Sequence, residues 1–187
     1  MSVVILKAGL LDTIQDEGRY GFQHLGINPC GAMDLIAASV ANMLVENESN
    51  EPVLELHFPA AVMRFTQDCL IAIAGADFEP EIDNESIPIN TAILISKDST
   101  LKFLRYKAGA RCYLAIHGKW MVNQWLNSYS TNIKAGAGGY RGRRLLKGDE
   151  IEIESEAPAL KGEERKAFSF QSLTKTPWFD DSLLPLV

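Results

Sequence analysis

Two polar clusters carry residue types suited to work on an amide or an anion. The first is Thr13-Ile14-Gln15-Asp16-Glu17-Gly18-Arg19, followed by Gly26-Ile27-Asn28-Pro29-Cys30-Gly31-Ala32-Met33-Asp34. Gln15 offers an amide donor and acceptor, Asp16 a carboxylate, and Arg19 a planar guanidinium matched to carboxylate or phosphate. The second is Gly138-Gly139-Tyr140-Arg141-Gly142-Arg143. Its glycines let backbone N–H groups approach a ligand, and its two arginines add positive charge beside them, the makings of an anion nest. Each cluster has a plainer reading. An Asp16–Arg19 ion pair would merely pin a loop, Asp34 would cap a helix, and the Gly-rich segment would be a tight turn with solvated arginines.

These side chains need elements to position them. Ile36, Val40 and Leu44 fall at i, i+4 and i+8, which predicts a helix over 33–45. Asp34, Ala38 and Asn42 form a second ridge on roughly the opposite side, with Asp34 in the first turn, where a carboxylate suits the helix dipole. A helix N-terminus also supplies unpaired N–H groups, a ready anion site. Gly18, Gly26 and Gly31 permit the tight returns that bring the first cluster back to it. The expectation is that Gln15, Asp16 and Arg19 converge with Asp34, and that Arg141 and Arg143 approach the same cleft.

The rest reads as short strands. Ser2–Leu6 opens the chain, and Leu54–Phe58 alternates as if one face were buried. Leu70–Ala74 is apolar throughout, and Ile82 and Ile87 flank a hairpin turn. Ala92–Ile95, Leu101–Leu104, Arg111–Ile116 and Ile151–Ile153 follow. Many short strands point to a barrel or sandwich. The expected division is a domain over 1–156 and a linker or arm over 157–187.

Composition narrows the function. The chain has 187 residues and a formal net charge of −6, against a general nucleic-acid binder. The N-terminus has no basic leader, and no apolar run approaches the ~20 residues that span a bilayer, so no membrane role is expected and the cytoplasm is the default. Cys30, Cys69 and Cys112 are far apart and read as reduced thiols, the last two in the core. There is no phosphate-binding G-x-x-x-x-G-K-[ST] loop, no Ala-Met-Lys-Met biotinyl segment and no G-x-S-x-G elbow. His24, His57 and His117 lack metal-type spacing, so no metal site is expected; His57 reads as a surface or barrel-lining residue.

A series of short motifs runs in order along the chain: Gly9-Leu10, Thr13 to Arg19, Gly26 with Gly31 to Asp34, Ala41 to Asn47, Leu54-Glu55, Ala74 to Asp77, Gly109 to Ile116, Ser130-Thr131, and Gly138 to Arg143 with Gly148-Asp149. Together they resemble the N-terminal half of the family of 5-oxoprolinase C subunits and allophanate hydrolase subunit 2, also called the biotin-dependent carboxyltransferase family. Asn28-Pro29-Cys30 and His117-Gly118-Lys119-Trp120 depart from the usual pattern.

The resemblance implies a mainly β, cyclophilin-like barrel. It implies one component of an ATP-dependent 5-oxoprolinase that opens 5-oxo-L-proline to L-glutamate together with a B-subunit homologue and a lactam-utilisation-type A-subunit. ATP and Mg would be used by the assembled complex and not bound by this chain alone. The alternatives are the carboxyltransferase component of a urea carboxylase-type enzyme, the one reading in which biotin takes part, or a regulatory protein antagonising a kinase inhibitor of the B-subunit type. By matching position, the resemblance makes Asp16, Arg19 and Asp34 catalytic candidates, and Gln15, Asn42, Gly139, Arg141 and Arg143 substrate-binding ones. The substrate is expected to be a small amide.

Overall fold

A computed structural model describes residues 1–155 and the short strand at 168–169. In chain order its elements are β1 (Ser2–Lys7), β2 (Thr13–Gln15), a 3-10 turn (Gln23–Leu25), α1 (Leu35–Leu44), β3 (Val53–Leu56), β4 (Val62–Phe65), β5 (Cys69–Asp77) and β6 (Pro80–Ile82). Then come β7 (Glu85–Ser86), β8 (Thr91–Ile95), β9 (Thr100–Phe103), β10 (Ala108–Ile116), β11 (Lys119–Trp120), β12 (Glu150–Glu154) and β13 (Phe168–Ser169). The fold is mainly β with one main helix, as expected.

The strands form two sheets, ordered β11-β12-β1-β4-β9-β6-β7 and β13-β8-β5-β10-β3-β2. Val3, Ile5, Met63, Phe65, Leu101, Ile151 and Ile153 of the first sheet share one core with Leu54, Leu56, Ile71, Ile73, Leu114 and Ile116 of the second. Alternation along each strand sends these side chains inward. Asp83 and Asn84 both take left-handed backbone angles and close the β6–β7 hairpin, the conformation a two-residue turn requires.

The helix packs on the outer side of the second sheet, against β5, β10 and β3. It begins two residues later than predicted. Asp34 is extended and stands at the N-cap, outside the first turn, with its carboxylate accepting from the Ala37 N–H at 3.0 Å. The buried ridge also differs from the expected one. Ala37, Ala38, Ala41, Asn42 and Leu44 face the sheet, whereas Ile36 is 79% exposed. Side-chain size decides this: Ala37, Ala38 and Ala41 meet Ala72, Ala74 and Ala115, and small residues on both surfaces let the backbones approach.

The alternation read in Leu54–Phe58 is corrected as well. The strand ends at Leu56, and Val53, Leu54, Glu55 and Leu56 are all buried. Core lies on one side and the helix entrance on the other, so both faces are covered. The expected linker or arm at 157–187 lies outside the described residues, apart from β13, which pairs antiparallel with β8.

Candidate functional site

The first polar loop folds back onto the helix entrance. Ala32 N–H donates to the Asp16 carbonyl, Arg19 N–H to the Pro29 carbonyl, and Gly31 N–H to the Gln15 side-chain oxygen at 3.2 Å. Gly18 and Gly31 interlock: a Cβ on Gly18 would lie 2.8 Å from the Cys30 carbonyl, and one on Gly31 2.8 Å from that of Glu17. Both have positive φ, so glycine is required on two counts. Gln15 is buried on β2 and also donates to the Thr13 hydroxyl at 2.9 Å.

Asp16 and Arg19 do not pair; among the described residues the structure contains no ion pair between them. Each instead ties the loop to the segment 125–131. The Asp16 carboxylate accepts from Gly18 N–H at 2.8 Å, Ser128 hydroxyl at 2.7 Å, Tyr129 N–H at 2.6 Å and the Ser130 hydroxyl. Arg19 is 1% exposed. Its guanidinium donates to the carbonyls of Trp125 and Pro29, both at 3.4 Å, and to that of Ser130. It also lies 4.8 Å from the centre of the Trp125 ring, a cation–π contact. A buried cation held by carbonyl dipoles and one aromatic face is a structural clamp.

The Gly-rich segment reaches this clamp through its backbone. A Cβ on Gly138 would meet the Arg19 guanidinium, and one on Gly139 would meet the Thr131 hydroxyl. Its arginines go elsewhere. Arg143 forms a bidentate pair with Asp149 at 2.7 and 2.8 Å, and both Arg141 and Arg143 lie over the Tyr140 ring. Burial pushes the Asp149 carboxyl up, but Arg143 and the Leu146 N–H outweigh it and hold it below its ordinary range. Asp149 bonds the backbone of β1, in the first sheet. Asp34 stands beside the second sheet, and its hydrogen bonds go to Ala37 and Tyr113 rather than to Arg141 or Arg143. Asn42 is fully buried and donates to the carbonyl of Glu51 at 2.7 Å and that of Ser49 at 3.4 Å, tying the helix end to the following loop. It sits eight residues from Asp34, about 12 Å along the axis.

The helix entrance rests on groups absent from the sequence expectation. Thr13, Glu55, Tyr113 and Ala74 lie side by side across β2, β3, β10 and β5. The Glu55 carboxylate accepts from Met33 N–H and from the Tyr113 hydroxyl, each at 2.8 Å, and that hydroxyl accepts from Asp34 N–H at 2.8 Å. Burial pushes the Tyr113 phenol well above its ordinary value. Arg111 stands 3.9 Å from Glu55, on the bulge where β10 loses register with β5. The Leu-Glu-Leu alternation was the one sequence signal that Glu55 shares a face with helix-covered groups.

Asp12 was also missed. It is buried and accepts from His57 N–H at 3.0 Å and Ala61 N–H at 2.7 Å, yet burial still pushes its carboxyl up to about 6. Its neighbour His57 is half-buried, with an Nδ1 that has no hydrogen-bond partner. Among the described residues no group of three or more His, Cys, Asp or Glu side chains could hold a metal ion. Cys30 is exposed; Cys69 and Cys112 are buried, as expected.

Residues 25–181 match the family described as carboxyltransferase domain, subdomain A and B. This chain belongs to the carboxyltransferase domain family. Within that family it is 37% identical over 149 residues to the 5-oxoprolinase C-subunit of Escherichia coli (strain K12), covering 80% of this chain and 48% of that protein. It is 36% identical over 140 residues to the 5-oxoprolinase C-subunit of Haemophilus influenzae, covering 75% and 45%. Urea amidolyase of Saccharomyces cerevisiae is 33% identical over 155 residues, covering 82% of this chain and 8% of that protein. The chain thus spans about half the length of the two bacterial relatives. Among solved structures, TTHA0988 superposes with a TM-score of 0.79 at 31% identity, over 90% of this chain and 33% of the other. The Kluyveromyces lactis urea amidolyase gives 0.79 at 30% identity, over 84% and 10%.

Proposed function

We propose that this chain supplies the N-terminal half of a 5-oxoprolinase C-subunit. It works in an ATP-dependent complex that opens the cyclic amide 5-oxo-L-proline to L-glutamate, beside partners of the A and B types. The carrying observation is the pair of relatives named as that 5-oxoprolinase component, at 36–37% identity over three quarters or more of this chain. The urea amidolyase match favours a second reading, a carboxyltransferase unit acting with carboxybiotin. Both readings place an amide-type substrate at the protein.

The residues divide by what their polar atoms already do. Gln15, Asp16, Arg19, Asn42, Gly139 and Arg143 hold the loops in place. Asp34 and Arg141 are exposed and able to meet a partner or substrate. Asp34 would orient an amide N–H or a water, and Arg141 would neutralise charge on an oxygen. These two act on separate surfaces unless another chain bridges them. In the first reading ATP and Mg2+ are used by the assembled complex, and biotin takes part in the second alone.

The test is 5-oxoproline-dependent ATP hydrolysis by the A- and B-type partners, with and without this chain joined to the remainder of the C-type component. Loss of coupled turnover when this half is omitted supports the reading. Equal turnover without it, or urea-dependent turnover of carboxybiotin with it, overturns it.

A further inference from the structure

Beside the entrance of α1 lies a depression of about 350 Å³, lined by Asp34, Ile36, Ala37, Val40, Gly75 and Asn90. That is at the small end of ligand pockets, which run from about 300 to 1,000 Å³. Its lining divides into an apolar wall and two polar groups. Ile36, Ala37 and Val40 of the helix make the wall. Gly75 adds backbone alone: its φ is 89°, and a Cβ there would lie 2.6 Å from the Arg111 carbonyl and 3.3 Å from the Ala37 Cβ. Asp34 and Asn90 are the polar groups.

Both polar side chains keep hydrogen-bonding capacity in reserve. Asp34 Oδ1 accepts from the Ala37 N–H, whereas Oδ2 has no partner among the described residues. The half-buried Asn90 donates its backbone N–H to the Ile73 carbonyl at 2.6 Å, but its side-chain amide makes no hydrogen bond among the described residues. The amides of Gln15, Asn42 and Asn47, by contrast, are all engaged by their own chain. Asn90 has a left-handed backbone, φ 56°. Asn adopts that conformation with help from a local side-chain hydrogen bond, and here the side chain makes none.

One acceptor and one amide donor beside an apolar wall match a small lactam. A five-membered lactam holds its N–H and C=O cis, on one edge of the ring, and presents methylenes on the other. We propose that this depression is a lactam-binding subsite, in which Asp34 Oδ2 accepts the ring N–H and Asn90 Nδ2 donates to the ring carbonyl. Ile36, Ala37 and Val40 cover the methylenes. Urea has N–H groups on both flanks and nothing to lay on that wall. The assignment rests on the amide-substrate reading above and narrows it to cyclic amides.

The test titrates the isotope-labelled full chain with 2-pyrrolidone, following backbone amide signals by NMR. Saturable shifts should centre on Ile36, Ala37, Gly75 and Asn90. N-methyl-2-pyrrolidone, which lacks the N–H, should bind about fivefold more weakly or worse. Asn90→Gly and Asn90→Asp both suit the left-handed backbone, and each should weaken 2-pyrrolidone by a similar factor with melting unchanged. Shifts that are absent or centred elsewhere overturn the proposal, as does equal binding of the N-methyl compound. Full binding by both Asn90 variants overturns it too, leaving Asn90 a backbone role only. Saturable, Asn90-dependent binding without 5-oxoproline turnover in the assembled complex supports the lactam site and removes the 5-oxoprolinase reading alone.

Discussion

Asp16 and Asp34 are both carboxylates next to glycine-rich loops, and the sequence offered the same two readings for each. Their surroundings separate them. Asp16 accepts from four donors of its own chain. Asp16→Asn turns an amide N–H₂ toward donors that need an acceptor, which should cost about 2–3 kcal/mol and lower the melting temperature by roughly 5–10 °C. Asp34→Asn keeps a good N-cap and should change stability by less than about 0.5 kcal/mol. Thermal melts of the two variants check both figures. Because it leaves the fold alone, Asp34→Asn is also the clean probe of chemistry: turnover of the assembled enzyme should fall with melting unchanged, and unchanged turnover reduces Asp34 to its cap. Loop closure was legible, because Gly18 and Gly31 announce a tight return. The partners were not. Nothing near Asp16 in sequence indicates that Ser128 and Ser130 would reach it, or that Arg143 would be claimed by Asp149.

At the scale of elements, the longer apolar strands were legible, whereas β2, β4 and β11 are too short to write a pattern of their own; the β6–β7 hairpin was legible because Asp-Asn can adopt the angles its turn needs. The helix was legible in place but not in orientation. Apolarity marked Ile36, Val40 and Leu44, but the sheet selects for smallness, so the alanines turned inward beside Leu44 and Ile36 was left outside. The covered faces of β3 were hidden for a similar reason: a buried Glu55 looks like a solvent-facing residue until Tyr113 and Met33 supply its hydrogen bonds. Close packing of α1 makes a direct prediction. Ala41 is fully buried against the second sheet. Ala41→Leu should force the helix away and cost about 1–3 kcal/mol, whereas Ser39→Leu, at a partly exposed position, should be tolerated. Chemical denaturation of the two variants checks this; equal midpoints would refute the close-packed interface.

For the whole molecule, pH is a lever on stability because burial opposes charge at particular sites. Burial raises Asp12 from 3.8 to about 6, so the folded protein keeps a proton there that the unfolded chain has lost. Stability from this group therefore falls as pH rises between about 4 and 6, by roughly 3 kcal/mol for a shift of two pKa units. Two other groups act in the opposite direction. Burial first, then Arg111, holds His57 below its ordinary 6.5, so charging it at lower pH costs stability. Asp149, held low by Arg143, contributes stability above the ordinary carboxylate range and loses it as pH falls through its folded value. These contributions are shared by the parent and Asp12→Asn, so the difference between the two isolates Asp12. The variant should melt lower than the parent at pH 4, because its amide cannot accept from both His57 and Ala61 N–H groups. That deficit should shrink by several degrees by pH 6, as the parent comes to hold a buried charge whose two N–H donors do not fully offset its burial. Thermal melts at half-unit steps over this window measure it, and a deficit that stays constant means that Asp12 is ionised in the folded protein throughout.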